Sequence, residues 1–340
     1  VATGPSTIPM MKKAGFTGTF AAAVEAAAST GGQIMPPIMG AGAFIMAQIT
    51  HIPFLTIISV SVLPAILYFA SISFYIHIHA KENDIKGEDN DIKILPLLRE
   101  GFHFIIPITT LVGLLIYGYS PTYAASIAII TIVLASYLTK NKRMGIKEIL
   151  EALALGSQNM VVTGVLLIAV GIIVGVINIS GVGITFSQLI MEWSGNSLLI
   201  AIVLIAIASL ILGMGLPVTA SYVVLSVLSA PALVGLMLTP EMAGLVNAGI
   251  QIPEAAMYLL SAHLIIFWLS QDSNLTPPVC LAAFAAAAIA KTPPMQTGLV
   301  SWKIGKGMYI IPLLFAFTPL VSGDWFERFE GFIFAFSDIP

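Results

Sequence analysis

Between Glu192 and Glu241 the chain carries no charged residue, and most of the intervening positions are Leu, Ile, Val, Ala or Gly. In hydrocarbon each unpaired backbone N–H or C=O costs several kcal/mol, so such a segment must close its own hydrogen bonds as helix or belong to a sealed barrel. Barrel strands alternate apolar and polar residues. "LLIAIVLIAIASLILG", 198–213, does not alternate. The rest of the chain agrees: 58% of the 340 residues are hydrophobic and 9% charged, against about 25% charged in soluble domains. Several windows exceed the roughly 20 apolar residues that cross a bilayer. The expected fold class is an all-α polytopic membrane protein. The single Cys280 excludes a disulfide framework within the chain. No nucleic-acid patch is present. The opening "VATGPSTIPMMKK" is not a signal peptide, because its charges follow the apolar part. The chain reads as a fragment that begins inside a helix or hairpin and stops early.

Two apolar crossings are interrupted in a matched way. "GGQIMPPIMG", from Gly31, breaks the crossing expected over 14–49, and "DSNLTPPVC", from Asp272, breaks that over 253–290. Gln33, Pro36 and Pro37 correspond by offset to Asn274, Pro277 and Pro278. A third interruption, Gly213-Met214-Gly215-Leu216-Pro217, joins two apolar stretches with no charge at the turn. It reads as the tip of a re-entrant hairpin. Further spans are expected over 53–79, 102–118, 122–138, 156–178 and 307–322, with surface helices over 144–155 and around Trp193.

Lys and Arg positions test this order. With Lys12 and Lys13 inside, the loop 80–100, the cluster Lys140 to Lys147, and Lys291, Lys303 and Lys306 all fall inside as well. The acidic tail from Asp324 falls outside. The two broken crossings then run in opposite directions, as an inverted-topology repeat. Paired interrupted helices in two halves point to a secondary transporter's binding site. The regions expected are 1–52 and 197–292 as the two transport repeats, 53–155 as scaffold, 156–196 as span plus arm helix, and 293–340 as C-terminal span and tail.

A broken helix frees carbonyls at one end and N–H groups at the next. Carbonyls with Ser, Thr or Asp oxygens suit a hard cation; N–H groups at a helix start suit an anion. Proline in the first turn lacks the N–H that would go unpaired. The expected Na⁺ ligands are Ser29, Thr30, Gly213, Gly215, Asp272, Ser273 and Thr276. The expected substrate contacts are Gly31, Gly32, Gln33, Pro36, Pro37, Thr219, Ser221, Asn274, Pro277 and Pro278. Asp272 is the sharpest of these, since a mid-membrane carboxylate costs about 2.5–3.5 kcal/mol; its structural alternative is a helix cap. Glu25 either faces the site or bridges half-helices. His51, His77, His79 and His103 lie near span ends as interfacial residues. His263, mid-span, pairs with a polar neighbour or relays a proton. No Walker motif, GxGxxG, HExxH or nucleophile motif occurs, so the chain is not expected to be an enzyme, and no cofactor beyond Na⁺ is expected.

At residues 1–47, 213–224 and 273–290 the sequence resembles the fused permease of TRAP transporters, in the branch served by TAXI-type binding proteins. The resemblance implies an elevator-type, Na⁺-coupled importer of organic acids in the bacterial or archaeal inner membrane. It implies two partners, a periplasmic TAXI-type solute-binding protein and a small four-helix membrane portion, in addition to membrane lipid. The glycine- and serine-rich hairpin tip that the family places before "VATGPSTIP" is not in this sequence. No Arg occurs in any break, so a guanidinium clamp is not evident. The alternatives are a stand-alone carboxylate or ion transporter that needs no binding protein, a passive channel, and a membrane-embedded enzyme, for which Asp272 has no catalytic partner at a recognisable spacing.

Overall fold

The computed structural model describes residues 2–85, 101–138, 143–247 and 253–318, and every element among them is helical. The tail from Asp324 and most of the loop 80–100 lie outside the described residues. The chain divides into two compact units, 1–87 with 170–340, and 88–169.

In the smaller unit, α5 (Ile105–Ile116) and α6 (Pro121–Ser136) pack as a hairpin. Ser120 caps α6 by accepting from the Tyr123 N–H, and Pro121 starts the helix where a missing N–H is harmless. Helix α7 runs unbroken over Ile146–Ser180. This corrects the expected separation of a surface helix at 144–155 from a span at 156–178. No proline lies inside it, and Gly156 alone costs about 1 kcal/mol of helix propensity, too little to end it.

The larger unit holds α1 (Gly4–Lys13), α2 (Gly18–Gly31), α3 (Ala41–Thr50), α4 (Phe54–Glu82), α8 (Val182–Trp193), α9 (Leu198–Gly213), α10 (Val218–Met237) and α11 (Pro240–Asn247). It continues with α12 (Pro253–Leu269), α13 (Leu281–Ala290), α14 (Pro294–Ile304) and α15 (Gly307–Phe317). Helix α12 is the axis. From Leu260 to Ser273 every side chain is buried, Trp268 and Phe267 included. A helix apolar on all sides belongs at the centre of its neighbours, and α12 packs against α3, α9, α10 and α15.

Small residues set the closest approaches. The alanine runs of α2 and α13 face each other, letting backbones come near. The two helices run antiparallel, since Gly18 at the start of α2 meets Ala290 and Thr292 at the end of α13. A Cβ on Gly31 would lie 2.7 Å from both Tyr68 and Phe69 of α4, so that position admits only glycine without rearrangement.

The last crossing begins earlier than expected. Pro294–Phe317 forms one apolar passage, kinked at Gly305. Its first half, α14, lies along α2 and α13; its second half, α15, lies along α12 and α4. Gly305 packs on Leu275, and Tyr309 hydrogen-bonds Thr276, both in the break between α12 and α13. Lys303 and Lys306, expected in an inside loop, lie in the last turn of α14 and at the interruption before α15, both exposed. Eleven residues separate the start of α14 from its end, a rise of about 16 Å and half the thickness of a hydrocarbon core.

Candidate functional site

The two breaks share three backbone hydrogen bonds in the same register. In the first, the Gln33 N–H donates to Thr30 O, Ile34 to Gly31 O and Met39 to Met35 O. In the second, Asn274 donates to Gln271 O, Leu275 to Asp272 O and Cys280 to Thr276 O. Both contain a cis peptide, Pro36–Pro37 and Pro277–Pro278, and both end on a left-handed residue, Met39 at φ 49° and Cys280 at φ 43°. Ile34 and Leu275 are the buried plugs at equivalent places. By this register Asp272 replaces Gly31, and Ser273 replaces Gly32.

The tip between α9 and α10 meets both breaks. Gly213 allows it: a Cβ there would lie 2.6 Å from Ser273 Cβ. The Ser209 hydroxyl, one turn before the tip, donates to Leu269 O at 2.9 Å. A cavity of about 470 Å³ opens between the three segments. Its walls include Gln33, Gly40 and Ala41 from the first break, Leu216, Pro217, Val218 and Thr219 from the tip, and Ser273, Asn274 and Leu281 from the second.

None of these lining residues is charged, yet three helices start at the cavity: α3 at Ala41, α10 at Val218 and α13 at Leu281. Their N-caps, Gly40, Pro217 and Cys280, supply no side-chain cap. Orphan N–H groups are thus left at each start, and each helix adds the positive end of its dipole, roughly half a unit charge. Together they give the cavity a positive end that suits an anion without a cationic side chain. Gln33, Thr219, Ser273 and Asn274 add amide and hydroxyl groups at the same wall.

Asp272 points elsewhere. It lines a second cavity of about 540 Å³ between α9, α12, α14 and α15, together with Thr276, Trp302, Lys306 and Tyr309. Asp272 is 2% exposed, and its Oδ1 has no hydrogen-bond partner; nor has Oε1 of the adjacent buried Gln271. Two orphaned oxygens on neighbouring residues fit a hard cation. Ser209 stands beside the Asp272 carboxyl and, since its proton goes to Leu269 O, keeps lone pairs available. The turn 272–274 therefore serves both cavities, Asp272 on one side and Ser273 and Asn274 on the other.

The remaining expected residues are placed as follows. Ser29 donates to Glu25 at 3.3 Å, and Thr30 to Ala26 O at 2.9 Å. The Thr276 hydroxyl is engaged with Tyr309. Gly31 packs on α4, and Gly32 caps α2, its N–H turned to Ala28 O and Ser29 O. Ser221 is buried in the first turns of α10 with its hydroxyl unpartnered. Gly215 has open space around it. Glu25 accepts from Thr3, Thr7 and Ser29, tying α1 to α2. His263 pairs through Nδ1 with Tyr222 at 2.9 Å. Sequence reasoning missed Gln271, Ser209, Lys306 and Tyr309. Only Gln271, inside the polar run "SQDSN", carried a local signal.

A search of curated proteins finds no match to the chain. The family model of the tripartite ATP-independent periplasmic transporter, DctM component, matches residues 1–321, a stretch that contains both breaks, the tip and both cavities. The chain belongs to the DctM family, the large membrane component of TRAP transporters.

Proposed function

We propose that the chain carries an organic carboxylate across the inner membrane of a bacterium or archaeon, driven by inward Na⁺, after a TAXI-type periplasmic binding protein delivers it. The observation that carries the reading is the convergence of three uncapped helix starts on one charge-free cavity. The carboxylate takes the freed N–H groups; Gln33, Thr219, Ser273 and Asn274 read the rest of the molecule. Asp272 and Gln271 hold Na⁺ on the far side of the same turn. Ion and cargo then share one rigid element, which couples their occupancy. The hairpin α9–α10 is read as re-entrant, with its tip at the level of the breaks. The two repeats move together as the elevator against scaffold helices, and a small four-helix membrane portion completes the permease.

The test is uptake by the full-length protein in proteoliposomes. A panel of labelled organic acids is supplied with the cognate binding protein, with and without an inward Na⁺ gradient. Uptake that needs both supports the proposal and names the cargo. Uptake with Na⁺ alone makes the protein a stand-alone carrier. Uptake indifferent to Na⁺ removes the ion role of Asp272.

A further inference from the structure

Lys306 stands at the interruption between α14 and α15, within the apolar passage Pro294–Phe317. The kink at Gly305 turns it into the cavity that Asp272 lines, and the other walls there are Leu, Ile, Val and Ala with Thr276, Trp302 and Tyr309. Among the described residues, Asp272 and Lys306 are the charged ones that line this cavity. Among the described residues Lys306 makes no ion pair, and Asp272 Oδ1 has no partner. A buried carboxylate is costly unless a counter-charge or hydrogen bonds meet it. Here the carboxylate and the ammonium share one cavity without touching. A lysine side chain is long, with four rotatable carbons and a strongly hydrated head. Tyr309, three residues on, is fixed to Thr276 and holds the kink against the break.

We propose that Lys306 is a tethered counter-ion for Asp272: its ammonium takes the carboxylate when no Na⁺ is bound and yields it when Na⁺ arrives. The unloaded site is then never a bare buried charge, so the empty carrier can return through the bilayer. Na⁺ and lysine compete for one carboxylate, which sets the apparent Na⁺ affinity below that of the carboxylate alone. The inference rests on the reading of Asp272 as an ion ligand.

Thermal unfolding of the full-length protein in detergent tests it. NaCl is titrated at constant ionic strength against choline chloride, because an ion that binds only the folded state raises the melting temperature in proportion to its occupancy. The half-saturating Na⁺ concentration should fall roughly threefold or more in Lys306→Met, the low end of coupling between neighbouring charges. Lys306→Arg should keep the parental value. Asp272→Asn should lose the Na⁺ response, and adding Lys306→Met to it should change nothing further. An unchanged or raised half-saturation in Lys306→Met, or an arginine variant that behaves like methionine, overturns the proposal. If Lys306→Met does not fold, the Asp272→Asn pair decides: a lysine that acts through the carboxylate leaves the single and double variants with the same melting temperature, and a clear difference overturns it. A parent protein that gives no Na⁺ response sinks the ion reading of Asp272 itself, a failure visible before any lysine variant is compared.

Discussion

Glu25 shows how a buried charge in this chain is kept. It is 5% exposed and accepts three hydroxyls, from Thr3 at 2.8 Å, Thr7 at 2.5 Å and Ser29 at 3.3 Å. Removing the acceptor leaves those donors without their carboxylate at a part-buried interface. Glu25→Ala should lower stability by about 2 kcal/mol, and Glu25→Gln, which keeps one acceptor oxygen, by less. Thermal unfolding of the detergent-solubilised protein checks this; equal losses for both variants would mean the hydroxyls find other partners. Glycine sets a second residue-scale limit. At Gly42 a Cβ would lie 2.7 Å from the Phe267 ring, and Phe267 is itself sealed in the core of α12. Gly42→Ala should cost about 1–3 kcal/mol by overpacking, read in the same assay, while alanine at Gly215, which has open space around it, should cost far less.

At the scale of elements, the interrupted helices and most of their neighbours were legible, the hairpins 102–138 and 198–235 among them, and two stretches were not. Tandem prolines at a common offset announce both breaks, because proline is excluded from helix interiors wherever the chain has a choice. The three backbone bonds common to both breaks follow from that shared spacing. The continuity of α7 was hidden because polar residues near Lys147 look like a surface segment, although nothing there breaks a helix. The place of Lys306 beside the Asp272 cavity was hidden for a related reason: a lysine between apolar runs reads as a loop, and only the packing of α14 and α15 brings it there. Which face of the 272–274 turn meets which cavity depends on how α9 docks on α12, a long-range matter that no local pattern encodes. The convergence of helix starts gives a prediction of its own. Thr219 lies in the first turn of α10, where an acid favours the helix by about 0.3–1 kcal/mol. Thr219→Asp should therefore leave the melting temperature unchanged or raised while reducing carboxylate uptake at least tenfold. Normal uptake would remove the anion from this cavity.

For the whole molecule, the order of crossings fixes which ends face which side. Thr239 follows α10 and Thr292 follows α13, and the proposed inverted repeat puts them on opposite faces. Cys280 is buried, so single cysteines can be added over it. Thr239→Cys should react with a membrane-impermeant thiol reagent applied to intact cells, and Thr292→Cys only after permeabilisation. Labelling of both from one side would undo the inverted arrangement and, with it, the alternation of the two breaks.

The way the anion cavity is built also bears on how such a protein changes over generations. Its positive character comes from backbone amides at three helix starts, and no codon substitution deletes an amide except by writing proline. Gln33, Thr219 and Asn274 are free to vary around that constant. If the proposed function holds, point mutation can reshape which acid fits, while the demand for an acid stays beyond its reach. Lineages sharing this framework would diverge in menu before they diverge in charge.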